Sequence, residues 1–240
     1  MKKIKQHLLA YQQNYQYKRE NQYISERFAQ RVLECANGES LLELGIGNGS
    51  VTKMLSERFK RHLIVEGAGE LIQQFNKNNN INGEVIESLF ETFTTNELFD
   101  NILMGFILEH VENPQELLER YKKFMHKDAS VFLSVPNGES LNRRIGYEAG
   151  LLDSCTELSK TDKEIGHKRV FTLETISKMV HSSGFSIVRK EGLYLKPFAT
   201  EQLELLGLEK KVHQALIKTG THYPELSVAI FMEIKLRKNA

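Results

Sequence analysis

The residues best suited to chemistry gather at a glycine-rich turn, Glu43-Leu44-Gly45-Ile46-Gly47-Asn48-Gly49. Glycines at alternate positions let the backbone approach a ligand closely, because no Cβ stands in the way. A helix beginning just after them offers unpaired backbone N–H groups. The dinucleotide fingerprint wants its third glycine one position later, where this chain has Ser50. The acid ahead of the turn, Glu43, is awkward beside a pyrophosphate and useful beside a cation. Glu66, near the end of the next strand, is placed to accept hydrogen bonds from ribose hydroxyls. Two histidines complete the set. His110 follows the fourth expected strand, at the carboxyl edge where such sheets bind ligands. His167 lies in Gly166-His167-Lys168-Arg169, a base with two cations beside it. Lys168 and Arg169 suit an anionic acceptor, and Asn137, Asn142, Arg143, Arg144 and Tyr147 are further candidates for its pocket. Each reading has a bland rival: ordinary turn glycines, a histidine that buttresses a loop, a solvated basic face.

The elements that must position these groups alternate between strand and helix. Apolar runs at 41–44, 62–66, 85–86, 99–105 and 130–136 read as parallel strands, with helices between them. Ser50 and Thr172 are the expected helix caps, and Pro114 suits a first helical turn. Two helices are expected within residues 1–40, the second carrying Ile24, Phe28, Val32 and Leu33. Residues 137–170 break the rhythm and read as an inserted helical lid over the acceptor. A strand at 185–188, one amphipathic helix at 200–218 and a strand at 226–234 close the chain. The fold class is α/β, a doubly wound sheet with helices on both faces. The whole of 1–240 is read as a single domain, with 1–37 as N-terminal helices and 137–170 as the lid.

Composition narrows the function. The 240 residues carry a net charge of +1, which gives no electrostatic footprint for nucleic acid. Cys35 and Cys155 form no CxxC pair, so neither a disulfide framework nor a structural zinc site is expected. Neither a signal peptide nor a membrane span is read, and the expected location is cytoplasmic.

With these residues in place a resemblance emerges. The segment 43–49 resembles motif I of class I S-adenosylmethionine-dependent methyltransferases, and Glu66 matches the acid that those enzymes place on the cofactor ribose. Phe106-Ile107-Leu108-Glu109-His110-Val111 resembles the "LEHV" segment of small-molecule members such as the ubiquinone-biosynthesis O-methyltransferases. The resemblance covers roughly residues 38–190. It implies a seven-stranded sheet with an antiparallel last strand and S-adenosylmethionine as cofactor. It implies cofactor contacts at Glu43, Gly45, Gly47, Asn48, Gly49, Glu66, Gly67, Ser88, Leu89, Phe90, Met104, Phe106 and His110. Some relatives place a metal-binding Glu upstream of the LEHV segment; here Phe106 stands there, and no metal is expected. The expected reaction is methylation, preferably O-methylation, of a small polar acceptor such as a sugar or a natural-product intermediate. His167 or His110 is the expected base, and no nucleic-acid or membrane partner is expected. The alternatives are a nicotinamide-dependent dehydrogenase and a non-catalytic cofactor-binding module.

Overall fold

The computed structural model describes residues 18–237. The first of the two expected N-terminal helices, with Leu8, Leu9, Tyr11 and Tyr15, lies outside the described residues. The second is α1, Lys18–Cys35. Then follow β1 (Ser40–Leu44), α2 (Ser50–Ser56), β2 (Arg61–Glu66), α3 (Gly69–Asn78), β3 (Glu84–Glu87), β4 (Phe99–Gly105) and α4 (Pro114–Tyr121). After β5 (Met125–Pro136) come α5 (Leu141–Glu148), α6 (Lys160–Glu164), α7 (Leu173–Ser182) and β6 (Phe185–Gly192). The chain ends in α8 (Thr200–Leu205), α9 (Lys210–Gly220) and β7 (Ala229–Leu236).

The seven strands form one sheet in the order β3-β2-β1-β4-β5-β7-β6. β1 pairs in parallel with both β2 and β4, whereas β7 runs antiparallel to β5 and β6. Side chains of a strand alternate between faces, and the core divides accordingly. Leu41, Leu103, Phe132 and Phe231 pack with α1 and α2 through Ile24, Phe28, Val32 and Leu55. Their neighbours Leu42, Ile102, Leu133 and Met232 pack on the other face, with Leu117 and Leu118 of α4 and Ile176 and Val180 of α7. The sheet is therefore covered on both sides, and its strand order reverses at β1 and β4, where a crevice opens beyond their carboxyl ends.

Four local expectations resolve clearly. Thr172 caps α7 in a capping box with Thr175, and Pro114 stands in the first turn of α4 behind the cap Asn113. Ser50 does not cap α2. Gly49 holds that position in the left-handed region, and Ser50 is the first helical residue, its N–H and hydroxyl both donating to Asn48 Oδ1. The single helix expected at 200–218 is two, α8 and α9, broken around Gly207 at φ +58°. No described helix is long and apolar enough to cross a membrane.

Candidate active site

The glycine turn leaves β1 as Gly45 N–H donates to the Val65 carbonyl at 2.8 Å. Gly45, Gly47 and Gly49 take φ of +81°, +57° and +78°, a region costly for any residue with a Cβ. At Gly45 a Cβ would also stand 3.0 Å from Ile107 Cδ1, and at Gly49 2.6 Å from the Phe75 ring. The turn is thus shaped by β4's following loop on one side and by α3 on the other. Glu66 closes it from β2. Its Oε1 accepts from Ala68 N–H at 2.8 Å and its Oε2 from Ile46 N–H at 3.1 Å. Burial pushes this carboxyl's pKa up, against the pull of those backbone donors. Each oxygen keeps further lone-pair capacity for a ligand hydroxyl.

Glu43 is buried, and its charge is committed within the protein. Thr52 of α2 donates to Oε1 at 2.8 Å, and His62 Nε2 shares a hydrogen bond with Oε2 at 2.7 Å. The partner expected for this acid was a ligand cation. The structure instead uses it to tie α2 and β2 to β1, and His62 is its buried structural partner.

A cleft of about 490 Å³ opens above the turn, a size usual for a ligand site. Of the expected cofactor residues, Glu43, Gly45, Gly47, Asn48, Glu66, Phe90, Phe106 and His110 line it. Gly49, Gly67, Ser88, Leu89 and Met104 do not. Met104 is fully buried in the sheet core, while Leu89 is half exposed. Phe106 adopts φ +57°, the one non-glycine residue among those described with positive φ. Such strain costs on the order of 1–3 kcal/mol and tends to sit at functional sites.

The far end of the cleft is built by residues 137–170. His167 Nδ1 hydrogen-bonds Asp162 Oδ1 at 2.9 Å, which leaves Nε2 as the nitrogen for other business. Asp162 also accepts from the N–H and hydroxyl of Ser159, the capping box of α6. Burial pushes the Asp162 carboxyl up, but the hydrogen bonds from His167 and Ser159 outweigh it and hold its pKa at about 2. The His110 ring meets the His167 ring edge-on, with centroids 4.7 Å apart. Glu109 lies beneath them, 1% exposed, and neither of its oxygens has a hydrogen-bond partner on another residue. One donor atom each from Glu109, His110 and His167 lies within 4.8 Å of the others. Burial drives the Glu109 pKa up to about 7, against the pull of His167 and Arg169.

The candidate acceptor residues are mostly spent on the chain itself. Arg143 donates to the Cys155 and Glu157 carbonyls, and Arg144 to the Glu139 carbonyl. Arg169 donates to the carbonyls of Leu108, Val111 and Glu112. Lys168 pairs with Glu112 at 2.7 Å. The Asn137 amide donates to the carbonyls of Pro224, Glu225 and Ser227. Asn137, Asn142, Arg143 and Arg169 still line the cleft; Arg144, Tyr147 and Lys168 do not. In the cluster read as an anion seat, Arg143 and Arg144 thus brace the inserted segment internally, and Lys168 and Arg169 fasten its end to the loop after β4. Long cationic side chains satisfy buried carbonyls well, and sequence spacing does not separate that use from ligand binding.

Three contributions are absent from the expected site residues. Asp162 was signalled only by the Ser159-x-x-Asp162 capping pattern. Glu109 was signalled by one acid inside an otherwise apolar run. The third is α1, whose Glu20, Asn21, Ile24 and Ser25 wall the cleft. Lys196 lines it too, with Nζ bonded to Glu20 Oε2 at 2.7 Å and to Thr200 at 3.0 Å. Nothing in the local sequence links these residues, which are separated by about 176 positions.

A model of the methyltransferase domain family matches residues 14–190. (S)-coclaurine N-methyltransferase from Thalictrum flavum subsp. glaucum is 27% identical over 116 residues, covering 45% of this chain and 31% of that enzyme. (S)-tetrahydroprotoberberine N-methyltransferase from Eschscholzia californica is 24% identical over 123 residues, 49% of this chain and 35% of that one. The matches thus span about a third of these curated relatives. Among solved structures, the plantazolicin methyltransferase BpumL, in complex with a triazolic desmethylPZN analog and SAH, superposes with a TM-score of 0.62. It covers 98% of this chain and 97% of its own at 19% identity, a likeness of fold.

Proposed function

The chain belongs to the methyltransferase domain family, and from that premise we propose that it transfers a methyl group from S-adenosylmethionine to a small polar acceptor bound beneath residues 137–170. The observation that carries this reading is the single cleft joining the glycine turn at one end to the Asp162–His167 pair at the other.

The residues present fit that cofactor. Gly45 and Gly47 keep the floor of the cleft open where a Cβ would crowd or strain it. Glu66 flanks the turn with lone-pair capacity to spare, which suits a ligand bearing ribose hydroxyls and no phosphate, while Glu43 braces the turn through Thr52 and His62. The cationic side chains that line the cleft, Arg143, Arg169 and Lys196, are each paired elsewhere in the chain. Gly45, Gly47 and Asn48 would lie along the cofactor, Glu66 at its ribose, and Phe90 and Phe106 against its apolar surfaces. The bound cofactor supplies an electrophilic methyl on sulfur.

The protein's own task is to position the acceptor, exclude water and take a proton. Asp162 fixes the His167 ring through Nδ1, so Nε2 presents its lone pair. Arg169 and the Lys168 N–H, which donates to the Glu109 carbonyl at 2.9 Å, hold His167 above the loop that follows β4. Hydroxyl and protonated amine acceptors make the same demand on this base. O-methylation is the preference of the sequence reading. The two curated relatives carry N-methyltransferase names, so nitrogen acceptors belong in the test.

Calorimetry with S-adenosylhomocysteine on the folded protein tests the cofactor half of this reading. Binding is expected, and its absence would sink the reading. The second half is tested by release of S-adenosylhomocysteine across a panel of hydroxyl and amine acceptors. Tight cofactor binding with no turnover on any of them would favour a binding module over an enzyme.

A further inference from the structure

We propose that Glu109 is a second carboxylate of the His167 base, a positioning residue whose ionisation sets the charge on the imidazole while Asp162 sets its orientation. This inference rests on the proposed role of His167 as the acceptor's base.

The geometry gives the two acids different work. Asp162 is bonded to His167 Nδ1 and to both donors of Ser159, so its charge is fixed and its lone pairs are used. Glu109 also belongs to the centre, with a carboxyl oxygen within 4.8 Å of a ring nitrogen of His110 and of His167, yet no neighbouring residue donates to its carboxyl. A buried carboxyl in that state is costly unless something nearby repays it. The cleft's other acids all have partners: Glu20 has Lys196, Glu43 has Thr52 and His62, and Glu66 has two backbone N–H groups. Glu109 is therefore the one acid of the cleft placed to respond to a charge that appears during the reaction.

That charge would arise on His167. When an acceptor X–H attacks, the lone pair on X forms the new X–C bond and the C–S bonding pair returns to sulfur. The proton on X passes to His167 Nε2, giving an imidazolium. An ionised carboxylate less than 5 Å away favours that imidazolium in a water-poor site, and a protonated one does not. The groups facing Glu109 are His110 from its own loop, His167, Asp162 and Arg169 from the inserted segment, and Arg143 of α5 behind Asp162 at 3.9 Å. Of the acids in this set, Asp162 stays ionised at any working pH, while Glu109 gains and loses its proton near neutrality. Two carboxyls driven apart in this way divide the labour of orientation and charge.

The experiment follows the Glu109 side-chain carboxyl by carbon NMR in the full chain labelled at glutamate Cδ, without acceptor or cofactor, and assigns the resonance by its loss in Glu109→Gln. The wild-type midpoint is expected at about 7. His167→Gln should raise it by about one unit, and Asp162→Asn should lower it, because His167 pulls the Glu109 carboxyl down and Asp162 pushes it up. A wild-type midpoint in the ordinary glutamate range, or one unmoved in both variants, overturns the proposal. Neither variant touches Glu109 itself, and where Glu109→Gln folds poorly the loss of the labelled resonance in Glu109→Asp assigns it instead. Where Glu109→Gln does fold, it should keep its S-adenosylhomocysteine affinity, lower kcat about 10-fold or more, and lose the rate limb near pH 7. Full kcat with an unchanged pH profile also overturns the proposal. Failure of S-adenosylhomocysteine to bind the wild type would remove the methyltransferase reading and leave the titration result standing.

Discussion

At the scale of single residues, His167 and Glu109 make separable predictions. His167→Ala should lower turnover about 10²–10⁴-fold while leaving S-adenosylhomocysteine affinity nearly unchanged, because a general base acts on the acceptor side. Steady-state rates beside calorimetry check this, and full turnover would transfer the role to His110. Glu109 should also write itself into stability. Its folded pKa, about 7, is above its unfolded value of about 4.5. Between those values the folded state holds a proton that the unfolded state has released, so the contribution of Glu109 to stability is greatest below pH 4.5 and is lost as pH rises through 7. Glu109→Gln removes that loss. Relative to wild type the variant should gain up to about 3 kcal/mol between pH 5 and pH 8, read from urea unfolding at the two pH values. An equal gap at both pH values would contradict a buried, unpaired carboxyl. Both histidines of the site were legible from residue type and position. Asp162 was not, because its partner His167 is found by the fold of α6 rather than by any catalytic spacing.

At the scale of elements, the turn and the inserted segment carry the next tests. Gly49 begins α2 at φ +78°, with Phe75 where a Cβ would go. Gly49→Ala should cost about 1–3 kcal/mol, since strain at a left-handed position and a clash with a buried ring both act. Thermal denaturation measures it, and a loss of less than about 0.5 kcal/mol would mean that the turn relaxes freely. Arg169 binds three carbonyls of the loop after β4. Arg169→Met should therefore speed amide exchange across 160–169 and raise the acceptor's KM more than that of S-adenosylmethionine; unchanged exchange would show that the segment is held by its apolar contacts alone. The strand–helix alternation of 41–136 was readable because buried parallel strands are short apolar runs and helices repeat at 3.6 residues. Boundaries slipped where tertiary contact overrides local preference. β5 begins five residues before its apolar run, β7 starts three residues late, and the 200–218 helix breaks around Gly207.

At the scale of the whole molecule, the cleft couples cofactor binding to the stability of the sheet edge. Any ligand held only by the folded state stabilises it, by about 2.7 kcal/mol at a hundred times its Kd. For a chain of this size that raises Tm by roughly 5–10 °C, so S-adenosylhomocysteine should shift the melting curve by that amount and NADH should not. An equal shift with NADH would revive the dehydrogenase alternative. The alternating pattern and the glycine spacing determined from sequence alone that this is a doubly wound α/β fold with a glycine turn at 43–49, because each of those signals is local: backbone freedom, strand period and helix period act within a dozen residues. Only the tertiary structure decided which charges remain for chemistry. Arg143, Arg144 and Arg169 look like an anion seat until their carbonyl partners are seen, Lys168 until its Glu112 carboxylate is seen, and Glu43 looks free until His62 closes on it. Whether a polar side chain is spent or available depends on partners 5 to 176 residues away. The fold, not the spacing, brings those partners within hydrogen-bond reach.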